Sequence, residues 1–177
     1  MHRDHVVKII SGGQIGADQG GLLAGQALGI PTGGWVPKGC KTQAGPNPDL
    51  VKVFGCQEHA SDRYPPRTYA NVKDSDGTMR FAINFNSPGE MCTLKAIIEY
   101  EKPYFHVDFR KTPPVEAARE WLRENKIAVL NVAGNSERTL KGMQRFAYNY
   151  LMRVLECVPK ETAETRGPQP ETTTSCS

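Results

Sequence analysis

No apolar stretch of this chain approaches the ~18 residues that a membrane-crossing helix needs, so no membrane partner is expected. Neither sign of charge predominates: Lys and Arg number 22, Asp and Glu 19, and the net charge is +3. No run of basic residues forms a stripe, and nucleic acid is not an expected partner. The five cysteines (40, 56, 92, 157 and 176) are odd in number and scattered, without a CxxC or Cys/His zinc spacing. That usage reads as free thiols in a reducing, cytoplasmic protein with no metal site. The first five residues lead directly into an apolar run without the h-region of a secretory signal, and none is expected. There is no GxGxxG and no GxxxxGK[ST], so neither common nucleotide fingerprint applies. Internal repeats and Ser/His/Asp or Cys/His catalytic arrangements are also lacking.

What the chain does have is glycine at strand ends. Val6 to Ile10 form a β-branched run that stops at Ser11, and Gly12, Gly13, Gly16, Gly20 and Gly21 follow within eleven residues. A continuous apolar run fits a strand covered on both faces. Glycine permits a sharp turn and a close approach to its amide. The start of a helix beyond such a turn offers unpaired N–H groups and the positive end of a dipole, a seat for an anion. A plain strand–helix connector is the alternative. Gly20 and Gly21 lie early in the expected helix 17–28, where each costs about 1 kcal/mol relative to Ala. They require a close neighbour, either a strand or a ligand.

The 177 residues suffice for one α/β domain. Leu28-Gly29 ends the first helix, and a short strand is expected near 31–36, with Gly33 and Gly34 marking close backbone approach and Trp35 reading as core or a packing lid, with a stacking platform for a ligand as the alternative. Lys38 follows it. Residues 37–75 are loop-rich, with a short helix at most near 48–54, and so long a loop is usually functional. Pro65 and Pro66 start a helical turn that places Arg67 and Asn71 on one face. Arg67 could grip a phosphate or form a surface ion pair. Ser75, Asp76, Gly77 and Thr78 form a turn into the third strand, 78–85; the turn is either structural or a holder of ribose hydroxyls or a cation. Ser87 and Pro88 are a good cap and first residue for the next helix, which carries Gly89, Glu90 and Thr93. A fourth strand, 104–109, contains His106, read as a satisfied core histidine. A helix begins at 112–114, and a fifth strand, 127–132, runs into Gly134, Asn135, Ser136, Glu137 and Arg138. The last helix spans 139–157. Residues 159–177, rich in Thr, Glu, Pro and Ser, read as a disordered tail after a single domain of residues 1–158.

Alternating strands and helices imply an α/β class: a Rossmann-like three-layer α/β/α fold with a mostly parallel sheet of about five or more strands. Right-handed crossovers put the polar turns 11–16, 86–93 and 133–138 on one edge, where open α/β sheets bind ligands. Ser11–Leu22, Thr32–Gly39, Arg67-Thr68 with Asn71-Val72, Ser75–Thr78 and Asn131–Asn135 together resemble the "putative molybdenum carrier" family of the Rossmann-like SLOG superfamily, over about residues 7–157. The resemblance implies a site at the glycine turns for a nucleotide, a nucleotide-derived signal or a phosphorylated pterin such as molybdenum cofactor. The protein would act as carrier, sensor or sequestering sponge. In this reading the amides of Gly12, Gly13, Gly89 and Gly134 hold phosphate, Arg67 neutralises it, and Asp76 or Asn135 fixes the sugar or base. Gln14, Gly16 and Asp18 belong to the same first motif. Folds of this kind often pair, so a homo-oligomer, dimer or tetramer, is expected.

Two positions depart from the family pattern: Ile15 stands where SGGQTG has threonine, and Lys141 stands where a proline precedes Gly142. The related "lonely guy" phosphoribohydrolases carry PGGxGTxxE at the second turn. Here Pro88, Gly89 and Thr93 match, and the catalytic carboxylate position is Ala96. A nucleotide-processing hydrolase, cleaving an N-glycosidic or phosphate bond, would need Glu90, Asp76 or Asp18 in that role instead. A scaffold whose glycine turns are mere connectors is the third reading.

Overall fold

The computed structural model describes residues 6–156; the expected tail lies outside the described residues. In chain order the elements are β1 (Lys8–Ser11), α1 (Ala17–Ala27), β2 (Thr32–Gly33), β3 (Trp35–Val36), β4 (Lys41–Thr42), β5 (Gly45–Pro46), α2 (Asp49–Lys52), β6 (Gln57–Glu58), α3 (Tyr64–Lys73), β7 (Gly77–Ala82), α4 (Pro88–Glu99), β8 (Tyr104–Asp108), α5 (Val115–Glu124), β9 (Val129–Gly134) and α6 (Met143–Leu155). A five-stranded sheet runs β2-β1-β9-β7-β8, with every pairing parallel. This is a Rossmann-like α/β/α fold.

The order of that sheet is informative. Begun from β9, the strands follow as β9, β1, β2, β7 and β8, and their spatial order becomes 3-2-1-4-5, that of Rossmann sheets. The last strand–helix unit of this chain thus occupies the place of the first. Connections leave β1 toward β2 and leave β7 toward β8, in opposite directions. The switch point falls between β9 and β7.

The layers follow from alternation along β7. Phe81 packs edge-on against Phe146 and Tyr150 of α6, on the face that α1 and α5 share with α6. The neighbouring Arg80 points the other way, to Glu90 of α4, and α3 packs on α4. All six residues of β7 are buried, as a strand covered on both faces requires.

The glycines of α1 explain themselves by packing. A Cβ at Gly20 would lie 2.6 Å from Gln144 O of α6, and one at Gly21 would lie 2.7 Å from Val132 Cβ of β9. The close neighbours are a helix and a strand. The expected strand 31–36 is broken at Gly34, whose φ of 117° turns the chain out of the sheet. Beyond it β3 pairs instead with β6. The last helix starts at Met143, later than its apolar stripe implies, because Gly142 takes φ 95° and Glu137 receives the amides of Gly142 and Gln144 at 2.7 Å.

Candidate functional site

Parallel strands deliver the turns after β1, β7 and β9 to one edge of the sheet, and the turns touch. Ala17 N donates to Asn135 O (3.2 Å), Glu137 N donates to Ile15 O (3.0 Å), and Gly16 bridges to Ser136. The side-chain amide of Asn135 ties the third turn to the second: Oδ1 accepts from Ile83 N and Asn84 N at 3.0 Å, and Nδ2 donates to Asn84 O at 3.1 Å. Between these turns and the start of α3 lies a cavity of about 420 Å³, at the small end of the ~300–1,000 Å³ typical of ligand sites. It sits over the β9/β7 switch point.

Of the residues singled out in the sequence, Gln14, Asp18, Arg67, Ser87, Gly89, Glu90, Thr93, Gly134 and Asn135 line it. Gln43, Tyr64, Pro65, Thr68, Pro88, Cys92, Ala133, Ser136 and Thr139 also line it; Pro88, Cys92, Ala133 and Ser136 lie in the expected turns 86–93 and 133–138, whereas Gln43, Tyr64 and Thr139 were not anticipated. Tyr64 lies three residues before Arg67 and four before Thr68 on α3, so helical spacing could have found Tyr64. Gln43 arrives on the β4–β5 hairpin, for which the sequence offers no signal.

Several expectations are corrected. The first turn does not offer its amides to a ligand: Gly13 N donates to Ser11 Oγ at 3.3 Å and Gln14 N to Asp18 Oδ2 at 3.3 Å. Ser11 Oγ in turn donates to Asp18 O. Ser11, Gly12, Gly13 and Gly16 therefore build the wall behind the cavity. A Cβ at Gly12 would sit 1.6 Å from Arg67 Nη1, so this glycine makes room for the guanidinium.

Ser75, Asp76, Gly77 and Thr78 lie at the amino end of β7, the opposite edge of the sheet. Asp76 Oδ2 accepts from Ala128 N (3.0 Å) and Val129 N (2.7 Å), fixing the start of β9. Ser75 Oγ donates to Val72 O, and Thr78 Oγ1 accepts from Asn131 Nδ2. A carboxylate so placed cannot reach a ligand at the switch point, nor serve there as an acid or base. Asn135 has its amide committed to the loops and is a strut rather than a base reader.

Gly34 packs against the Ser11 backbone, and Asn71 exchanges hydrogen bonds with the backbone of Trp35. Trp35 donates from Nε1 to Asp74 and borders a separate cavity of about 270 Å³. Lys38 is exposed. Glu137 caps α6, and Arg138 donates to Gln43 O at 3.1 Å, holding the hairpin. His106 is exposed rather than in the core.

The charged groups of the cavity are Arg67, Asp18 and Glu90. Arg67 Nη1 lies 3.4 Å from Asp18 Oδ2, with the two side chains only 11% and 6% exposed, and Arg67 Nε is shielded with no hydrogen-bond partner among the described residues. Burial pushes the Asp18 carboxyl above its usual range, against the opposing effects of Arg67 and of the Gln14 and Gly12 amides. Glu90 occupies the third position of α4, whose cap is Ser87. Its Oε2 receives Arg80 Nε at 3.0 Å, and its carbonyl receives Arg80 Nη2 at 3.0 Å. Arg80 Nη1 meets His106 Nε2 at 2.9 Å. An arginine can only donate, so His106 accepts there and carries its proton on Nδ1. Burial raises Glu90 to about 7 in spite of Arg80.

A stability consequence follows. Glu90 binds its proton more tightly in the folded than in the unfolded chain. The stability this confers is complete below the unfolded value of 4.5 and is lost as pH rises to about 7. The interval corresponds to roughly 3 kcal/mol. Urea unfolding is expected to show Glu90→Gln gaining on the wild type as pH rises from about 4.5 to 8. A difference between the two that stays constant with pH contradicts this assignment.

α4 completes the site. Its first turn faces the cavity through Ser87, Pro88 and Gly89, and a Cβ at Gly89 would meet nothing within 4 Å. Pro88 has no N–H, and the Ser87 hydroxyl already accepts the Glu90 amide. The arrangement is one helix N-terminus and one arginine from a neighbouring helix bordering the same space, backed by glycine. Groups of three or more metal-ligating side chains do not occur among the described residues. Nor is any described helix long and apolar enough to cross a membrane.

Comparison with known proteins agrees with the topology. The signature of the circularly permutated YpsA (cpYpsA) SLOG family matches residues 9–155. Among solved structures, one described as "Putative molybdenum carrier protein", from Syntrophus aciditrophicus SB, is 33% identical to this chain. The match covers 86% of this chain and 96% of that one, with a TM-score of 0.77. No curated protein gives a significant match. Both matches support a ligand-binding role in general terms. The β9-first order of the sheet is in keeping with a permuted Rossmann topology, and the chain belongs to the circularly permutated YpsA SLOG family.

Proposed function

We propose that this protein binds a phosphate-bearing small molecule in the switch-point cavity: a nucleotide, a nucleotide-derived signal or a phosphorylated pterin. It would act as a carrier, sensor or sequestering protein. The observation that carries the reading is the meeting of Arg67 and the amino end of α4 at one cavity. A phosphate there would receive charge-assisted hydrogen bonds from the guanidinium and sit in the favourable field of the helix. The likeness to a protein described as a molybdenum carrier is in keeping with a phosphorylated pterin as cargo.

In the unliganded protein Asp18 stands in for the anion. Its bond to Arg67 is long, at 3.4 Å, and Arg67 Nε has no hydrogen-bond partner among the described residues. A phosphate competes with Asp18 for the guanidinium. Asp18, deprived of that charge and faced by the phosphate and by Glu90, then takes up a proton. Calorimetry in two buffers of different ionisation heat is expected to show net proton uptake on binding. Asp18→Asn should remove the competitor, tighten phosphate-ester binding several-fold and abolish most of the uptake. Unchanged affinity with unchanged uptake would rule out the exchange.

A nucleotide hydrolase is the second reading, favoured by one observation: a buried glutamate in the cavity wall, raised to about 7, the range of a general acid or base. Mass spectrometry of the small molecule that co-purifies with the protein tests the binding reading, and finding no phosphorylated compound there or in a thermal-shift panel defeats it. Chromatography of the ligand after incubation separates the two: an unchanged compound means carriage, a released base or phosphate means catalysis.

A further inference from the structure

The cavity presents two carboxylates and a single cation among its lining side chains. A site for phosphate alone would not be built that way. Asp18 is engaged with Arg67 and the Gln14 amide, which leaves Glu90 to be explained. Its side chain is 2% exposed, and ion pairing with Arg80 does not account for its presence, because a buried pair is often no more stabilising than apolar residues of the same volume. The pair does fix direction. Arg80 holds Oε2 and the main-chain oxygen, and is itself held by His106 and by the Phe85 ring, 5.4 Å from its guanidinium carbon. Oε1 makes no hydrogen bond to a described residue, and Glu90 lines the cavity on the same helical turn as Gly89. Across the cavity Gln14 repeats the pattern: its Nε2 donates to Lys41 O at 3.0 Å, and its Oε1 has no partner among the described residues. Each side chain is anchored so that an acceptor oxygen is left over.

Acceptors call for donors. We propose that the ligand, besides its phosphate, carries hydroxyl or amine groups that Glu90 reads, so that the site selects a sugar-phosphate compound over inorganic phosphate. Arg80 is the positioning residue behind Glu90. This rests on the phosphate-binding reading above. In Glu90→Gln the amide oxygen is drawn to the Arg80 donors and the NH₂ is turned toward the ligand, so that donor meets donor.

The test is calorimetry at about pH 8, where Glu90 is ionised, with AMP, inosine monophosphate, 2′,3′-dideoxy-AMP and inorganic phosphate. Wild type is expected to bind AMP more tightly than inorganic phosphate. Loss of the ribose hydroxyls should weaken binding tenfold or more if Glu90 reads the sugar, and loss of the exocyclic amine should do so if it reads the base. Glu90→Gln should erase that preference without weakening inorganic phosphate, which loses a like-charged neighbour. The comparison of ligands on the wild type stands even if the variant does not fold. AMP binding no tighter than phosphate, or equal binding of all three nucleotides, overturns the inference while the phosphate reading survives. If no phosphate compound binds, both fall together.

Discussion

Arg80→Leu is expected to destabilise the protein by about 3–5 kcal/mol near pH 8, because removing one partner leaves a buried carboxylate uncompensated. Arg80 is 1% exposed and is the bridge between Glu90 on α4 and His106 on β8. Without it the Glu90 carbonyl and His106 Nε2 also lose a donor. The deficit should shrink toward about pH 5, since Glu90, raised to about 7 in the intact protein, is already protonated there and no ion is stranded. The double variant Arg80→Leu/Glu90→Leu is expected to recover much of the loss. Urea unfolding at the two pH values measures all three. A pH-independent loss, unrelieved by the second substitution, would mean that the arginine acts by packing alone.

Gly134→Ala is expected to be comparably severe, at about 3 kcal/mol or more. Gly134 closes β9 beside β7 with φ 158°, and a Cβ there would lie 2.0 Å from Phe81 O and 2.8 Å from Ala17 Cβ. The obstacle is backbone of the neighbouring strand β7, which cannot yield without opening the sheet at the cavity floor. Gly29→Ala is the control. Its φ of 68° carries the same kind of conformational penalty, but nothing lies within 4 Å of the new Cβ, so the loss should stay near 1 kcal/mol. Thermal denaturation that ranks the two variants equally would refute the steric account.

Local pattern made much of this legible. The apolar run before Ser11, the proline-started helices and the alternation of strand with helix specified the elements and placed three turns on one edge. What local pattern could not specify was who sits beside whom. The insertion of β9 between β1 and β7 is a long-range fact, and with it came the neighbours that fill the space beside Gly20 and Gly21. Asp76 was misassigned although its turn reads as leading into the third strand: at the amino end of β7 it faces away from the carboxyl edge and fixes the start of β9 instead. Asp18 and Asn135 carry the side chains expected of ligand readers but spend their hydrogen bonds on the turns. Glu90 owes its environment to Arg80, ten residues earlier and pointing across the helix–sheet interface.

The central claim is that Arg67 and the amino end of α4 form one anion site. Titration of the wild type and of Arg67→Gln with AMP, a phosphorylated pterin and inorganic phosphate addresses it most directly. The account predicts that the wild type binds at least one of these. Arg67→Gln should weaken that binding by about 2–3 kcal/mol, roughly a hundredfold, through loss of a charge-assisted contact, and should also lower the melting temperature of the unliganded protein, because Asp18 loses its buried partner. Wild-type affinity retained in Arg67→Gln, or no binding of any phosphate compound by the wild type, would contradict it.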